Sequence, residues 1–238
     1  MASQRKHGGI VTSFWLFCGY CTSSIILGIF LKDGYFYIYT LLLFCQLAVY
    51  WGTTTWLTTF LVKQHGLDLK QMGLFASVPY VVAFFAMMLG GWLMDKVLHR
   101  MKPVAIIAYL GCIPVLWMLG AVEKGQTGML LTSLLLVGFF INLNFGTVYA
   151  YVQKRYPQEV VGSATGLANG IGQMGSFVSP LVAGYLVKVG ADGSQDFSNV
   201  FVFFASAAAV AALCAILLKE QKVKGNNEVV TDDKKAVV

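Results

Sequence analysis

The chain has 238 residues, of which 57% are hydrophobic and 12% charged, with a formal net charge of +6. A soluble domain carries about 25% charged residues, so this composition excludes an ordinary soluble globular fold. The Lys and Arg residues sit in short loops between apolar stretches, so the basic balance reads as membrane orientation, with no nucleic-acid partner.

Stretches long and apolar enough to cross a bilayer are predicted over 10–31, 37–62, 71–94, 103–122, 128–152, 162–187 and 198–218. Lipid offers no water to backbone N–H and C=O groups, so each stretch is expected to be helical. All are far longer than the ~10-residue alternating strands of a membrane barrel. The expected fold is therefore an all-α membrane protein with three parts. Residues 1–33 form an atypical N-terminal apolar segment, 34–218 a six-helix bundle, and 219–238 a polar, patternless tail expected to be disordered.

The first stretch fits poorly. If 10–31 spanned the membrane, Arg5 and Lys6 would lie on the side opposite the other basic loops. An interfacial segment, a re-entrant segment and the scar of a truncated gene all remain open for it. Cys18 and Cys21 have redox or metal-ligand spacing but no accompanying His or second pair. With Cys45, Cys112 and Cys214 they read as small packing residues.

The later loops set the orientation. Lys96, Arg100 and Lys102, then Lys154 and Arg155, then Lys219, Lys222 and Lys224 alternate with loops holding only Lys63 and Lys70, Lys124, and Lys188. The positive-inside rule places the first set, and the C-terminus, in the cytoplasm. The expected location is a multi-pass protein of a bacterial inner (cell) membrane.

Polar residues at helical spacing mark candidate pathway faces, because positions three or four apart share a face. Gln46, Tyr50 and Thr53 do so in 37–62, and Asn142, Gly146, Tyr149 and Gln153 in 128–152. In 162–187, Asn169, Gln173 and Ser176 form a polar strip beside two ridges of small residues. One ridge is Gly162, Gly166 and Gly170; the other runs Ala164, Ala168, Gly172, Ser176, Pro180 and Gly184. Such ridges let helices approach closely in lipid, and Gly170→Leu is expected to block packing or cycling. Asn169 and Gln173 fall about 10–17 Å into their helix at the usual rise, near mid-bilayer. Uncharged amides and phenols orient a carboxylate or hydroxyls without a buried charge; they also serve as structural glue between helices. Asn169, Gln173, Gln46, Tyr50, Asn142 and Tyr149 are the candidate substrate contacts. Tyr80, Phe84 and Trp117 read as packing or interface aromatics, and His7, His65 and His99 fall outside the predicted spans.

Two loop patterns add to this. GGWLMDKVLHR (90–100) closes the span 71–94 with Gly91, Asp95, Lys96 and Arg100. There Gly91 permits close helix approach, Asp95 can accept bonds from a helix N-terminus, and the bases hold the loop in the cytoplasm. A generic glycine-rich helix end with anchoring charges is the plainer reading. Pro157-x4-Gly162-x-Ala164-x-Gly166 opens 162–187 on the same side. LAVYWGTTTWLTTFLV (47–62), followed by His65-Gly66, Gln71-x-Gly73 and Ser77-x-Pro79, completes the set.

Together these motifs resemble the major facilitator superfamily of transporters, over residues 34–218 and thus the C-terminal six-helix half. NGIGQMGSFVSP (169–180) is most similar to the anion:cation symporters of organic and sugar acids. The related organophosphate:phosphate antiporters have a phosphate-binding Arg where this chain has Tyr50. The resemblance implies secondary active transport of a small organic anion with H⁺ or Na⁺ by alternating access. It implies an anion-pairing Arg and proton-coupling carboxylates in the other half, and a partner that is a second six-helix half or another copy of this chain. Two alternatives stay open: an inactive transporter remnant or membrane interaction protein, and an organophosphate:phosphate antiporter. No span holds a His–carboxylate set, a nucleophile with its base, or metal-ligand spacing, so neither enzyme activity nor a cofactor is expected.

Overall fold

The computed structural model describes residues 33–190 and 195–219. The predicted segment 10–31, with Cys18 and Cys21, lies outside the described residues, as does the tail beyond Lys219. Helix α1 runs Gly34–Lys63, α2 Leu69–Trp92, α3 Met101–Ala121, and α4 Thr127–Leu143. They are followed by α5 Ala150–Arg155, α6 Gln158–Leu186 and α7 Ser198–Leu217. A two-residue ladder, β1 Lys188–Val189 with β2 Gln195–Asp196, pairs antiparallel before α7.

Local chemistry sets the helix ends. Asp33 caps α1, its carboxylate accepting from the Tyr35 N–H at 3.0 Å. Asp68 and Gln71 form a reciprocal capping box at the start of α2. That helix continues as a π-helical turn, Leu93–Leu98, and stops where His99 turns left-handed at φ 52°. The stretch predicted as one helix over 128–152 is broken. After Leu143 the chain makes a turn through Asn144–Gly146 and a 3₁₀ segment, Thr147–Tyr149, before α5. The shared face expected for Asn142, Gly146, Tyr149 and Gln153 therefore does not exist as a helix face.

Among the described residues, five helical stretches are long and apolar enough to cross a membrane: Gly34–Lys63, Leu69–Leu98, Met101–Ala121, Thr127–Arg155 and Ser198–Leu217. Helix α6 has the length, at 29 residues, but its glycines, Asn169, Gln173 and serines dilute its apolar content. It compensates by packing closely along α1. The helices neighbour one another in the order α6, α1, α7, α3, α4, α2, and α2 also touches α1. One core cluster gathers Tyr39, Leu42, Leu43, Met101, Val104, Tyr151 and Ala215. The second gathers Phe60, Leu61, Leu116, Leu119, Phe197, Phe201 and Phe204.

Small residues set the helix spacing, though not all of those expected. The buried stripe of α6 is Ala164, Ala168, Gly172, Gly175, Ser179 and Ala183. The first three agree with the predicted ridge and the rest shift by one position, because 3.6 residues per turn outrun a strict repeat of four. A Cβ at Gly175 would overlap the Phe44 carbonyl, and one at Gly172 would meet Leu43 and Leu47 at 3.2 Å. Gly162, Gly166 and Gly170, in contrast, have no described residue within 4 Å of an added Cβ. They do not pack within this bundle, so Gly170→Leu is not expected to disturb its fold. Gly91 is likewise open; it is Gly90 whose Cβ would overlap the Leu143 carbonyl oxygen.

The basic loops meet at one end of the bundle. Arg155 grips Asp33 through two bonds, Nε to Oδ2 at 2.6 Å and Nη2 to Oδ1 at 2.8 Å. The Tyr156 hydroxyl adds a third at 2.7 Å. The guanidinium lies 4.8 Å from the Tyr35 ring centre, a cation–π contact. Lys102 donates to the Ile216 and Leu218 carbonyls and so caps the end of α7. At the other end, Gln64 accepts from the Phe197 N–H at 3.0 Å and Ser198 donates to the Gly120 carbonyl at 3.0 Å.

The Arg155 bonds hold the Asp33 carboxyl below its ordinary value of 3.8, with Tyr156 and the Tyr35 N–H adding to the effect and partial burial opposing it. A carboxyl whose folded value is depressed stabilises the fold above its unfolded value and loses that contribution as pH falls through the folded one. The thermal midpoint of the detergent-solubilised protein is expected to fall as pH drops below about 3.8. Asp33→Asn should start lower at pH 7 and lose less on acidification; an equal loss in both proteins would remove Asp33 as the cause.

Candidate transport site

The six candidate contacts fall into three places. Tyr149, in the 3₁₀ turn, donates its hydroxyl to Asn169 Oδ1 on α6 at 3.1 Å. One turn along α6, Gln173 is exposed and accepts from Ser176 at 2.7 Å. Asn169 and Tyr149 are half-buried, and their bond joins this edge of α6 to the break between α4 and α5. The break matters here: a continuous helix would place Tyr149 by helical spacing from Asn142, whereas the 3₁₀ turn brings it to Asn169.

Tyr50 and Asn142 form the second place, lining one small cavity between α1, α2 and α4. Tyr50 also packs on Phe145, with ring centres 4.9 Å apart. Gln46, expected on the same face as Tyr50, turns instead toward α3. It is 4% exposed, and its Oε1 accepts from the Tyr109 hydroxyl at 2.6 Å.

That bond belongs to a network absent from the predicted contacts. Tyr109 accepts from Asn144 Nδ2 at 3.0 Å, and Asn144 Oδ1 accepts from Thr147 Oγ1 at 2.6 Å. Asn144 is completely buried. A buried, uncharged network satisfies its polar groups internally and holds the helix break in one geometry. Asn144 and Thr147 carry no periodic signal, because they belong to a turn; Tyr109 sits in an apolar helix where a lone phenol looks like packing.

The loop residues lie apart from all three. The side chains of Asp95, Lys96 and Arg100 bond no other described residue; Asp95 and Lys96 are exposed. Asp95 lies in the π turn and does not cap a neighbouring helix. Pro157 precedes α6 in an extended conformation at ψ 155°. Tyr80, Phe84 and Trp117 are 54%, 62% and 65% exposed, as aromatics facing lipid would be. Among the described residues no group of His, Cys, Asp and Glu side chains could hold a metal ion.

What this arrangement can do is orient an uncharged or anionic solute through amides, phenols and hydroxyls; it contains no group poised for bond making or breaking. The model of the Major Facilitator Superfamily matches residues 8–180, well over half of the chain. The chain belongs to the major facilitator superfamily and is thus an all-α membrane protein of a transporter family, not of an enzyme family.

Its relatives narrow the neighbourhood. It is 25% identical over 181 residues to the D-galactonate transporter of Escherichia coli O6:H1, covering 74% of this chain and 40% of that protein. With the probable galactarate/D-glucarate transporter GarP of Escherichia coli (strain K12) it shares 26% over 201 residues, 83% of this chain and 42% of the relative. With the probable galactarate/D-glucarate transporter GudP of Bacillus subtilis (strain 168) it shares 28% over 212 residues, 85% and 42% respectively. The chain thus spans about two fifths of the length of these curated relatives. Among solved structures, an auto inhibited POT family peptide transporter superposes with a TM-score of 0.67 at 16% identity, covering 84% of this chain and 40% of that one. That likeness shows the fold.

Proposed function

We propose that residues 34–218 are one six-helix half of a secondary active transporter that moves a small organic anion of the sugar-acid type. The observation that carries this reading is the relatives named as galactonate and galactarate/D-glucarate transporters, which align with 74–85% of this chain. The half-buried edge of Tyr149, Asn169 and Gln173 supports it, because phenol and amide groups can bond the hydroxyls and carboxylate of such a solute. Coupling to H⁺ or Na⁺ and alternating access belong to the same proposal, as does a cytoplasmic C-terminus in a bacterial inner membrane.

The open ridge of Gly162, Gly166 and Gly170 supports a partner bundle, either a second six-helix half or another copy of this chain. In the bilayer such a ridge permits close helix approach, and no described residue fills it.

The test is uptake of D-galactonate and D-glucarate by proteoliposomes holding the full chain, alone and with a co-expressed second half. Asn169→Ala is expected to reduce uptake at least tenfold, since it removes the acceptor for Tyr149 and a group at the accessible edge. Unchanged uptake in that variant would remove Asn169 from the site. Absence of uptake under every condition would favour a non-transporting membrane protein.

A further inference from the structure

The cavity between α1, α2 and α4 has a volume of about 30 Å³, room for one or two water-sized groups. Its wall includes Tyr50, Thr53, Thr54, Pro79 and Asn142, and Tyr80 is its one exposed lining residue. Thr53 and Asn142 are 3% and 5% exposed. Among the described residues, neither Thr53 Oγ1 nor Asn142 Oδ1 has a hydrogen-bond partner.

Their neighbours show what is unusual about this. Thr40 and Thr54 donate back to carbonyls four residues earlier, at 2.8 and 3.0 Å, the common arrangement for threonine in a helix. Thr53 does not. The Asn142 amide is orientated by Nδ2, which donates to the Gly138 carbonyl at 2.9 Å, so the carbonyl oxygen is the free atom. An unpaired buried polar atom is costly, more so in a membrane interior, and two on one small cavity point to a group that bonds both.

The chemistry of that group follows from what each atom needs. Asn142 Oδ1 can only accept, so the group must donate; Thr53 Oγ1 can do either. A carboxylate would set lone pairs against Oδ1 and bury a charge, and no lining residue carries the opposite one. An ammonium would bond both atoms but leave its own charge without a counter-ion. A hydroxyl donates, accepts, carries no charge and fits the volume.

We infer that this cavity is a hydroxyl site, filled by water at rest and by a hydroxyl of the solute during transport. The second half of that statement rests on the sugar-acid reading above. The carboxylate is then bound elsewhere, and the cavity distinguishes polyhydroxylated acids from simple ones.

Two measurements on the full chain separate the parts. A crystallographic or electron-microscopy map that resolves ordered solvent should show an oxygen bonded to Asn142 Oδ1 and Thr53 Oγ1. The near-isosteric double variant Thr53→Val, Asn142→Leu should lose it. A wild-type map with neither atom bonded overturns the site, whatever the chain carries. Binding of D-galactonate and of hexanoate, which has the same carbon count without hydroxyls, is the second measurement. The double variant is expected to bind D-galactonate about tenfold more weakly and hexanoate unchanged. Unaltered D-galactonate affinity in the variant assigns the oxygen to water and overturns the solute's part. A wild type that binds neither acid overturns the sugar-acid reading, while the oxygen in the map still upholds the hydroxyl site.

Discussion

Gly90→Ala is expected to destabilise the bundle by about 2–3 kcal/mol, the upper part of the range for overpacking, while Gly91→Ala one residue on is expected to change little. The added Cβ at Gly90 would overlap the carbonyl oxygen of Leu143, and its carbonyl carbon lies 3.0 Å away. Backbone cannot turn aside as a flexible side chain can, so α2 must move away from the end of α4. Gly138 makes the matching contact from the other helix, with a Cβ there falling 2.6 Å from the Pro79 Cα and carbonyl oxygen. The two glycines together let α2 and α4 lie backbone to backbone along the contact. Gly91 has nothing within 4 Å of an added Cβ. Thermal unfolding of each variant in the same detergent checks this; equal midpoints for Gly90→Ala and wild type would show that the helices separate without cost.

The pair also shows how far composition and spacing carry the reading. Helix positions were legible because lipid demands long apolar stretches: the predicted 37–62 and 198–218 fall within a few residues of α1 and α7. Which glycine faces a neighbour was not legible, since Gly90 and Gly91 are adjacent and differ by 100° around the helix. On α6 a repeat of four residues gave the buried Ala164, Ala168 and Gly172, and the buried stripe then shifts by one position to Gly175, Ser179 and Ala183, while Pro180 and Gly184 still meet Trp56 of α1. Gly162, Gly166 and Gly170 face away from the described helices, on the side proposed for a partner bundle.

The break after Leu143 had a different cause. Asn144, Phe145 and Gly146 interrupt a stretch whose apolar content alone reads as continuous helix, and the residues that stabilise the break come from α1 and α3. No local pattern in NLNFGTVY announces that Tyr109, 35 positions away, will meet Asn144. Asn169 and Gln173 were named as candidates because a polar strip on one helix is a local pattern. Their neighbour Tyr149 was named as well, although its bond to Asn169 depends on the 3₁₀ turn rather than on the helix face assumed for it.

The break is therefore the element on which the second large effect should be seen. Asn144→Ala is expected to cost about 2–4 kcal/mol, combining lost bonds, newly unpaired buried groups and a small cavity. Asn144 Nδ2 bonds Tyr109, and its Oδ1 receives Thr147; both bonds vanish in the variant. Thr147 keeps its longer bond to the Asn144 backbone carbonyl at 3.2 Å, so the turn is weakened without being abolished. Tyr109→Phe should cost less, about 1–3 kcal/mol, because the ring still fills its place while Gln46 and Asn144 each lose a partner. If the network acts as one unit, the double variant Asn144→Ala, Tyr109→Phe will be less destabilised than the sum of the two. Additive effects in thermal or denaturant unfolding would instead make the bonds independent. The same variants carry a functional consequence, because Thr147 and Tyr149 share the 3₁₀ turn that delivers the Tyr149 hydroxyl to Asn169. On the function proposed above, loosening the turn should weaken D-galactonate binding in Asn144→Ala even though Asn144 is fully buried. Affinity equal to wild type in a folded Asn144→Ala variant would separate the break from the site.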